Sequence, residues 1–161
     1  MPKTIKIETN LEVFENIQEL PKEIQNLINK AQEAREKAYA PYSLFSVGAA
    51  LQMSSGEVYT GNNQENAAFP SGLCAERVAI FHAGSLHPDG IITAMAVTAS
   101  SKKYEVANPT PPCGACRQSM AEYEVKQKSN MAVYFMGETG KIVKAESVKD
   151  LLPLMFDSSF L

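Results

Sequence analysis

The sequence predicts an α/β fold, a central mixed sheet of five strands layered by helices on both faces in a three-layer α/β/α sandwich. The chain has 161 residues, which suits one core rather than two. Helical and strand patterns alternate along it in the order helix, strand, strand, helix, strand, helix, strand, strand, short helix. The stretch "IITAMAVTAS" carries no charge over its whole length, as expected of a strand covered on both faces. A strand-helix-strand unit also needs parallel neighbours and a crossover, so the sheet is mixed.

Each element has its own signal. From Pro21 to about Tyr39, Ile24, Leu27, Ile28, Ala31 and Ala34 recur at helical spacing. Pro21 suits the first turn, and Pro41 marks a point by which the helix has ended. "FSVGAALQM" and "EVYTG" read as two strands joined by the turn "SSGE". "NNQENAAFPSG" is polar and turn-rich, and a second helix is predicted from near Cys74 to about Ala83. After the uncharged strand comes the loop "KKYEVANPTPP", then a third helix from about Gly114 to Gln127. "MAVYFM" and "KIVKAES" flank the turn "GETG", and "VKDLLPLMF" closes with a short helix and an apolar tail. The segment "KTIKIET" alternates loosely and reads as an extra strand or an extended arm. The division expected is an N-terminal extension over 1–20 and a single domain over 21–161.

Composition narrows the function. The chain is 45% hydrophobic and 20% charged, with a formal net charge of -3. That balance offers no basic track for a phosphate backbone, so nucleic acid is not the expected partner. No apolar run approaches the roughly 20 residues that span a bilayer, and "MPKTIKIETN" lacks the apolar core of a signal peptide. Three cysteines do not read as a disulfide framework. Free thiols in a reducing cytoplasm fit better.

Those thiols carry the chemistry. "PPCGACRQ" places Cys113 and Cys116 at i and i+3 where a helix begins, so both sulfurs can address one centre. A C-x-x-C pair also has a redox reading, but that leaves Cys74 without a role. Three cysteines supply three metal ligands, and a catalytic zinc keeps its fourth position for water. The two histidines, His82 and His87, read as packing or surface residues rather than as a fourth ligand. Glu76 lies two residues past Cys74, off its helix face, where it can move the proton of that water. Three thiolates leave a zinc centre net negative, which weakens it as an acid. Arg77 is either the compensating cation or an ordinary solvated helix arginine.

Cys74-Ala75-Glu76 followed by Pro112-Cys113-Gly114-Ala115-Cys116 is the C-x-E and P-C-x-x-C signature of zinc deaminases. With "YAPYSLFSVGAAL", "GNNQENAAFPSGLCAER", "PPCGACRQ" and "LLPLMF", the stretch from about Pro21 to Phe156 resembles the small homotetrameric cytidine deaminases. The resemblance implies a cytidine deaminase-like sandwich and one Zn2+ per subunit on Cys74, Cys113 and Cys116. It makes Glu76 the proton shuttle and Arg77 a hydrogen-bond donor to ligand sulfur. It assigns Asn63 and Glu65 to the ribose hydroxyls, Phe45 to a stack near the pyrimidine and the Ala75 backbone N–H to the base. Read without it, Asn63 and Glu65 are loop polarity and Phe45 is a strand aromatic. Phe69, where relatives often carry tyrosine, and Phe156 match positions that reach a neighbouring subunit's active site.

The implied reaction is hydrolytic deamination of cytidine and 2′-deoxycytidine to uridine and 2′-deoxyuridine with release of ammonia, in pyrimidine salvage. A deaminase of a modified cytosine nucleoside such as blasticidin S shares C-A-E and P-C-x-x-C. A noncatalytic zinc module is the alternative of a different class, and it calls for a fourth protein ligand.

Overall fold

The computed structural model describes residues 2–161. A mixed sheet runs through the middle, with one helix on one face and the others on the opposite face. The strands are β1 (Leu11–Phe14), β2 (Phe45–Met53), β3 (Val58–Asn62), β4 (Ile92–Ser101), β5 (Ala132–Met136) and β6 (Ile142–Ala145). The helices are α1 (Lys22–Arg35), α2 (Ala75–Leu86), α3 (Gly114–Gln127) and the one-turn α4 (Val148–Leu151). The sheet order is β1-β6-β5-β4-β2-β3. β4 and β5 run parallel through the crossover helix α3, and the other neighbours are antiparallel.

The α/β sandwich is as predicted, but the sheet has six strands rather than five. The additional strand, β1, comes from the first 20 residues, which the five-strand count left out. It pairs with β6 so that Glu12 lies opposite Lys144 and Val13 opposite Val143. The paired residues lie just beyond "KTIKIET", the stretch whose alternation drew attention to this region.

α1 is also shorter than the predicted span to Tyr39. It stops at Arg35 because the chain is then drawn into a bridge. The Tyr39 N–H donates to the Asn63 carbonyl at 3.0 Å, and the Glu65 N–H donates to the Tyr39 carbonyl at 2.8 Å. Competing partners, rather than a loss of helix propensity, set this boundary.

Two apolar layers hold the sandwich. Leu27, Ile28 and Ala31 of α1 pack on Ala50, Ala94 and Ala96 of the sheet. Ala79 and Ile80 of α2, with Met120 of α3, pack on Leu51, Met95 and Val97 from the other side. Successive residues of β4 thus serve opposite faces, which explains its uncharged sequence. Two glycines let helices lie directly on strands. A Cβ at Gly48 would stand 2.0 Å from the Ala31 carbonyl oxygen of α1. One at Gly61 would stand 2.5 Å from the Ala75 carbonyl oxygen and 2.6 Å from the Ala79 nitrogen of α2. Gly61 therefore seats the N-terminal turn of α2, the turn that carries Glu76.

Candidate active site

The N-termini of α2 and α3 bring the cysteines together. Cys74 is the N-cap of α2, Cys113 is the N-cap of α3, and Cys116 lies in the first turn of α3. The Cys74 and Cys113 sulfurs are 3.9 Å apart, those of Cys113 and Cys116 are 3.5 Å apart, and all three lie within 4.8 Å of one another. A zinc ion about 2.3 Å from each thiolate sets tetrahedral sulfur-sulfur separations of about 3.8 Å, so the cluster fits the ion with little movement. The two helix N-termini add positive dipole ends that favour thiolates.

The protons on these sulfurs are already unevenly held. The hydrogen bond from Cys116, reinforced by Arg77, pulls the Cys74 thiol down to about 5. The same hydrogen bond, together with burial, pushes Cys116 up. A metal ion binding here displaces the remaining thiol protons. The Arg77 Nη2 donates to Cys74 Sγ at 3.8 Å, and its Nε is buried with no partner. The Arg77 guanidinium thus stands beside sulfur rather than in open solvent.

Glu76, next along α2, is 4% exposed, yet it borders an open cleft of about 880 Å³. Burial is the main cause that raises its pKa. The wall beside it comes from the loop after β3 and the start of β2. Asn63 is strapped to β2: its Oδ1 accepts the Val47 N–H at 2.8 Å and its Nδ2 donates to the Phe45 carbonyl at 2.9 Å. Glu65 Oε2 accepts the Tyr42 and Ser43 N–H groups at 2.9 and 3.3 Å, and the Ser43 side chain is the main cause holding its carboxyl below the usual range. Phe45 and Phe69 line the same cleft, and Phe69 is 90% exposed at its margin.

The remaining site residues lie elsewhere. Ala75 is fully buried as the first residue of α2, where its N–H has no intrahelical acceptor. Phe156 does not line the cleft; it is 58% exposed and stacks on Phe160 with ring centroids 5.6 Å apart. His82 and His87 pack around Tyr59, and neither joins the cysteine cluster.

Sequence reasoning missed two supports. The backbone of Tyr42 and Ser43 grips Glu65, and a main-chain donor leaves no residue-type signal. Arg117 holds the cysteine loop by donating from Nε to the Pro112 carbonyl at 2.7 Å and from Nη1 to the Leu151 carbonyl at 2.8 Å. Its place directly after Cys116 was the available clue.

The family model described as the cytidine and deoxycytidylate deaminase zinc-binding region matches residues 21–132. The chain belongs to this family. Family membership brings zinc as the metal for which the cysteine cluster is suited. The chain is 46% identical over 132 residues to a cytidine deaminase of Halalkalibacterium halodurans, spanning 82% of this chain and 92% of the relative. It is 42% identical over 136 residues to one from Sporosarcina psychrophila, spanning 83% and 91%. Among solved structures, the cytidine deaminase of Burkholderia pseudomallei superposes with a TM-score of 0.71 at 42% identity, covering 81% of this chain and 97% of that one. The matched family region takes in both cysteine segments and leaves residues 1–20 outside.

Proposed function

We propose that this chain is a zinc-dependent cytidine deaminase, converting cytidine and 2′-deoxycytidine to uridine and 2′-deoxyuridine with release of ammonia. The observation that carries the reading is one cleft that joins a zinc-spaced trio of cysteines, a buried glutamate and a loop carboxylate. The relatives at 42–46% identity, each named cytidine deaminase, support it.

In this reading Cys74, Cys113 and Cys116 hold the metal, and residues 21–161 form a single catalytic domain. Zinc supplies a Lewis acid that makes water nucleophilic near neutral pH. Glu65 and Asn63 orient the ribose, the carboxylate accepting from hydroxyls and the amide able to donate or accept. Phe45 stacks near the pyrimidine, and the Ala75 N–H holds the base. Glu76 takes a proton as water adds to C4 and delivers it to N3. It then takes the proton of the new C4 hydroxyl and passes it to the exocyclic amine as the C4–N bond breaks, leaving the carbonyl of uridine and free ammonia. Arg77 offsets the negative charge on sulfur.

Exposed Phe69 and Phe156 support a homotetramer in which neighbouring subunits complete each active site. Free cysteines support a cytoplasmic setting, and the conversion of cytosine to uracil nucleosides is the chemistry of pyrimidine salvage. Among the described residues, no helix is long and apolar enough to cross a membrane.

The test combines zinc content per chain with the fall in ultraviolet absorbance of cytidine, deoxycytidine and blasticidin S measured side by side. One zinc per chain and turnover of the first two nucleosides is the expected result. Stoichiometric zinc with no turnover of any cytosine nucleoside would overturn it in favour of a noncatalytic metal module.

A further inference from the structure

The arm before β1 lies outside the matched family region, and its residues serve no part of the cleft. From Pro2 to Val13 every residue is exposed. Four are large and apolar: Ile5 (85% exposed), Ile7, Leu11 and Val13. β1 is the terminal strand of the sheet and pairs only with β6 among the described residues, so its other edge presents unpaired backbone groups. Such an edge is a template for another strand. Thr9 Oγ1 donates to the Asp150 carbonyl at 2.9 Å, which fastens the arm beside α4 where it enters the strand.

The arm's own sequence identifies what fits that edge. In extended form, Lys3, Ile5, Ile7, Thr9, Leu11, Val13 and Glu15 share one face, and Lys6, Glu8, Asn10 and Glu12 share the other. Laid antiparallel on a second copy with Thr9 opposite Thr9, the segment is self-complementary. Ile7 meets Leu11, Ile5 meets Val13, Lys6 meets Glu12 and Lys3 meets Glu15. Glu8 then faces Asn10. Sliding the register by two residues sets Glu8 against Glu12 in one direction and against Glu8 of the other copy in the opposite direction. Like charges directly opposite destabilise a strand pair. A slip of one residue sets the apolar face against the polar one.

Within one chain, Glu12 already pairs with Lys144 at 2.8 Å and Glu15 with Lys141 at 2.8 Å. The partner's lysines extend two ladders of alternating charge across the new strand.

We propose that residues 3–15 pair with the same segment of a second copy of this chain. In that exchange, residues 4–7 of each copy lie along the open edge of the other's β1, and the two sheets join through an antiparallel ribbon on a two-fold axis at Thr9. The apolar arm residues, exposed in one chain, are then shared between two.

Crosslinking tests this directly, whatever other interfaces the protein forms. On the axis, the two Thr9 Cα atoms stand about 5 Å apart, within the limit of about 7 Å for a disulfide. Glu15 stands six residues from the axis, about 20 Å away. Full-length Thr9→Cys and Glu15→Cys variants are compared under mild oxidation on a nonreducing gel, with circular dichroism as the control for fold. The expected result is a covalent dimer in Thr9→Cys at more than ten times the yield in Glu15→Cys. Equal yields would overturn the pairing. Adding Lys6→Glu to the Thr9→Cys chain sets like charges opposite at Glu12, and at low salt it is expected to cut the yield several-fold. An unchanged yield would overturn the register.

Discussion

Two buried glutamates stand on the helices of one face, and they differ in what surrounds their oxygens. Glu124 of α3 is 3% exposed and amply supplied with donors. Ser147 Oγ donates to its Oε1 at 2.6 Å, and the N–H groups of Met131 and Val148 donate to its Oε2 at 2.8 and 2.9 Å. Glu76 of α2 is 4% exposed, and the donors close to it are its own backbone N–H and the Cys116 thiol. It also borders the cleft, whereas Glu124 ties α3 to the entry of β5 and to the start of α4. Burial without enough donors penalises the ionised form. A buried carboxylate that has its full set of donors is a structural clamp, while one short of donors and facing a cleft is equipped to move protons.

The comparison breaks most visibly at Glu76. Glu76→Gln keeps the shape of the side chain and removes the proton transfer proposed for it. Turnover is expected to fall by about 10²–10⁴-fold, with one zinc retained per chain and melting little changed. Near-normal turnover would remove Glu76 from the chemistry. Removing the metal with a chelator should likewise abolish turnover and lower the melting temperature, because binding to the folded cluster is linked to folding. Adding zinc should restore both.

Glu124→Ala is expected to give the opposite pattern. It leaves two backbone N–H groups and a hydroxyl without their acceptor, at a cost of about 3 kcal/mol. For a chain of this size the loss corresponds to a fall of about 6–12 °C in melting temperature, with the kcat of the surviving folded enzyme within about twofold of the parent. A fall in kcat with unchanged melting would reverse the two assignments.

The sequence made this contrast only half legible. C-x-E and P-C-x-x-C state their chemistry through residue type and spacing, and the helix expected from about Gly114 begins there. Glu124, in "EYEVKQ", reads as a solvated helix residue, because its partners at Met131, Ser147 and Val148 come together only when β5 and α4 pack. The sixth strand was hidden for a related reason. Four residues at a sheet edge have little burial to impose a pattern, and pairing with β6 decides their conformation. The end of α1 was misplaced because the bridge through Tyr39 draws on a loop that follows it by more than 20 residues. Local patterns survive in the sequence, and partnerships made at a distance do not.

Glu65 is an intermediate case. It takes two backbone N–H groups on one oxygen and lines the cleft, so it is both anchored and at the wall of that space. Glu65→Gln is expected to raise KM for cytidine about tenfold or more, the loss of a charged hydrogen bond, while kcat changes less. Steady-state kinetics on the ribonucleoside check it. A drop in kcat alone would place Glu65 in the chemical step.

The smallest effect belongs to carboxylates that water also serves. Glu12 and Glu146 accept from Lys144 at 2.8 and 2.7 Å, and these hydrogen bonds, Glu12 first, raise the Lys144 pKa. A cation whose folded pKa lies above its unfolded value of about 10.5 stabilises fully below that value and loses the contribution as pH rises through the folded one. Melting of the parent should therefore decline more steeply above about pH 10.5 than melting of Lys144→Met, which has no proton to lose there. Exposed pairs contribute little, so the two curves should differ by only a few degrees. Parallel curves would mean that water alone satisfies Glu12 and Glu146, and that β1 is held to β6 by its backbone ladder rather than by this pair.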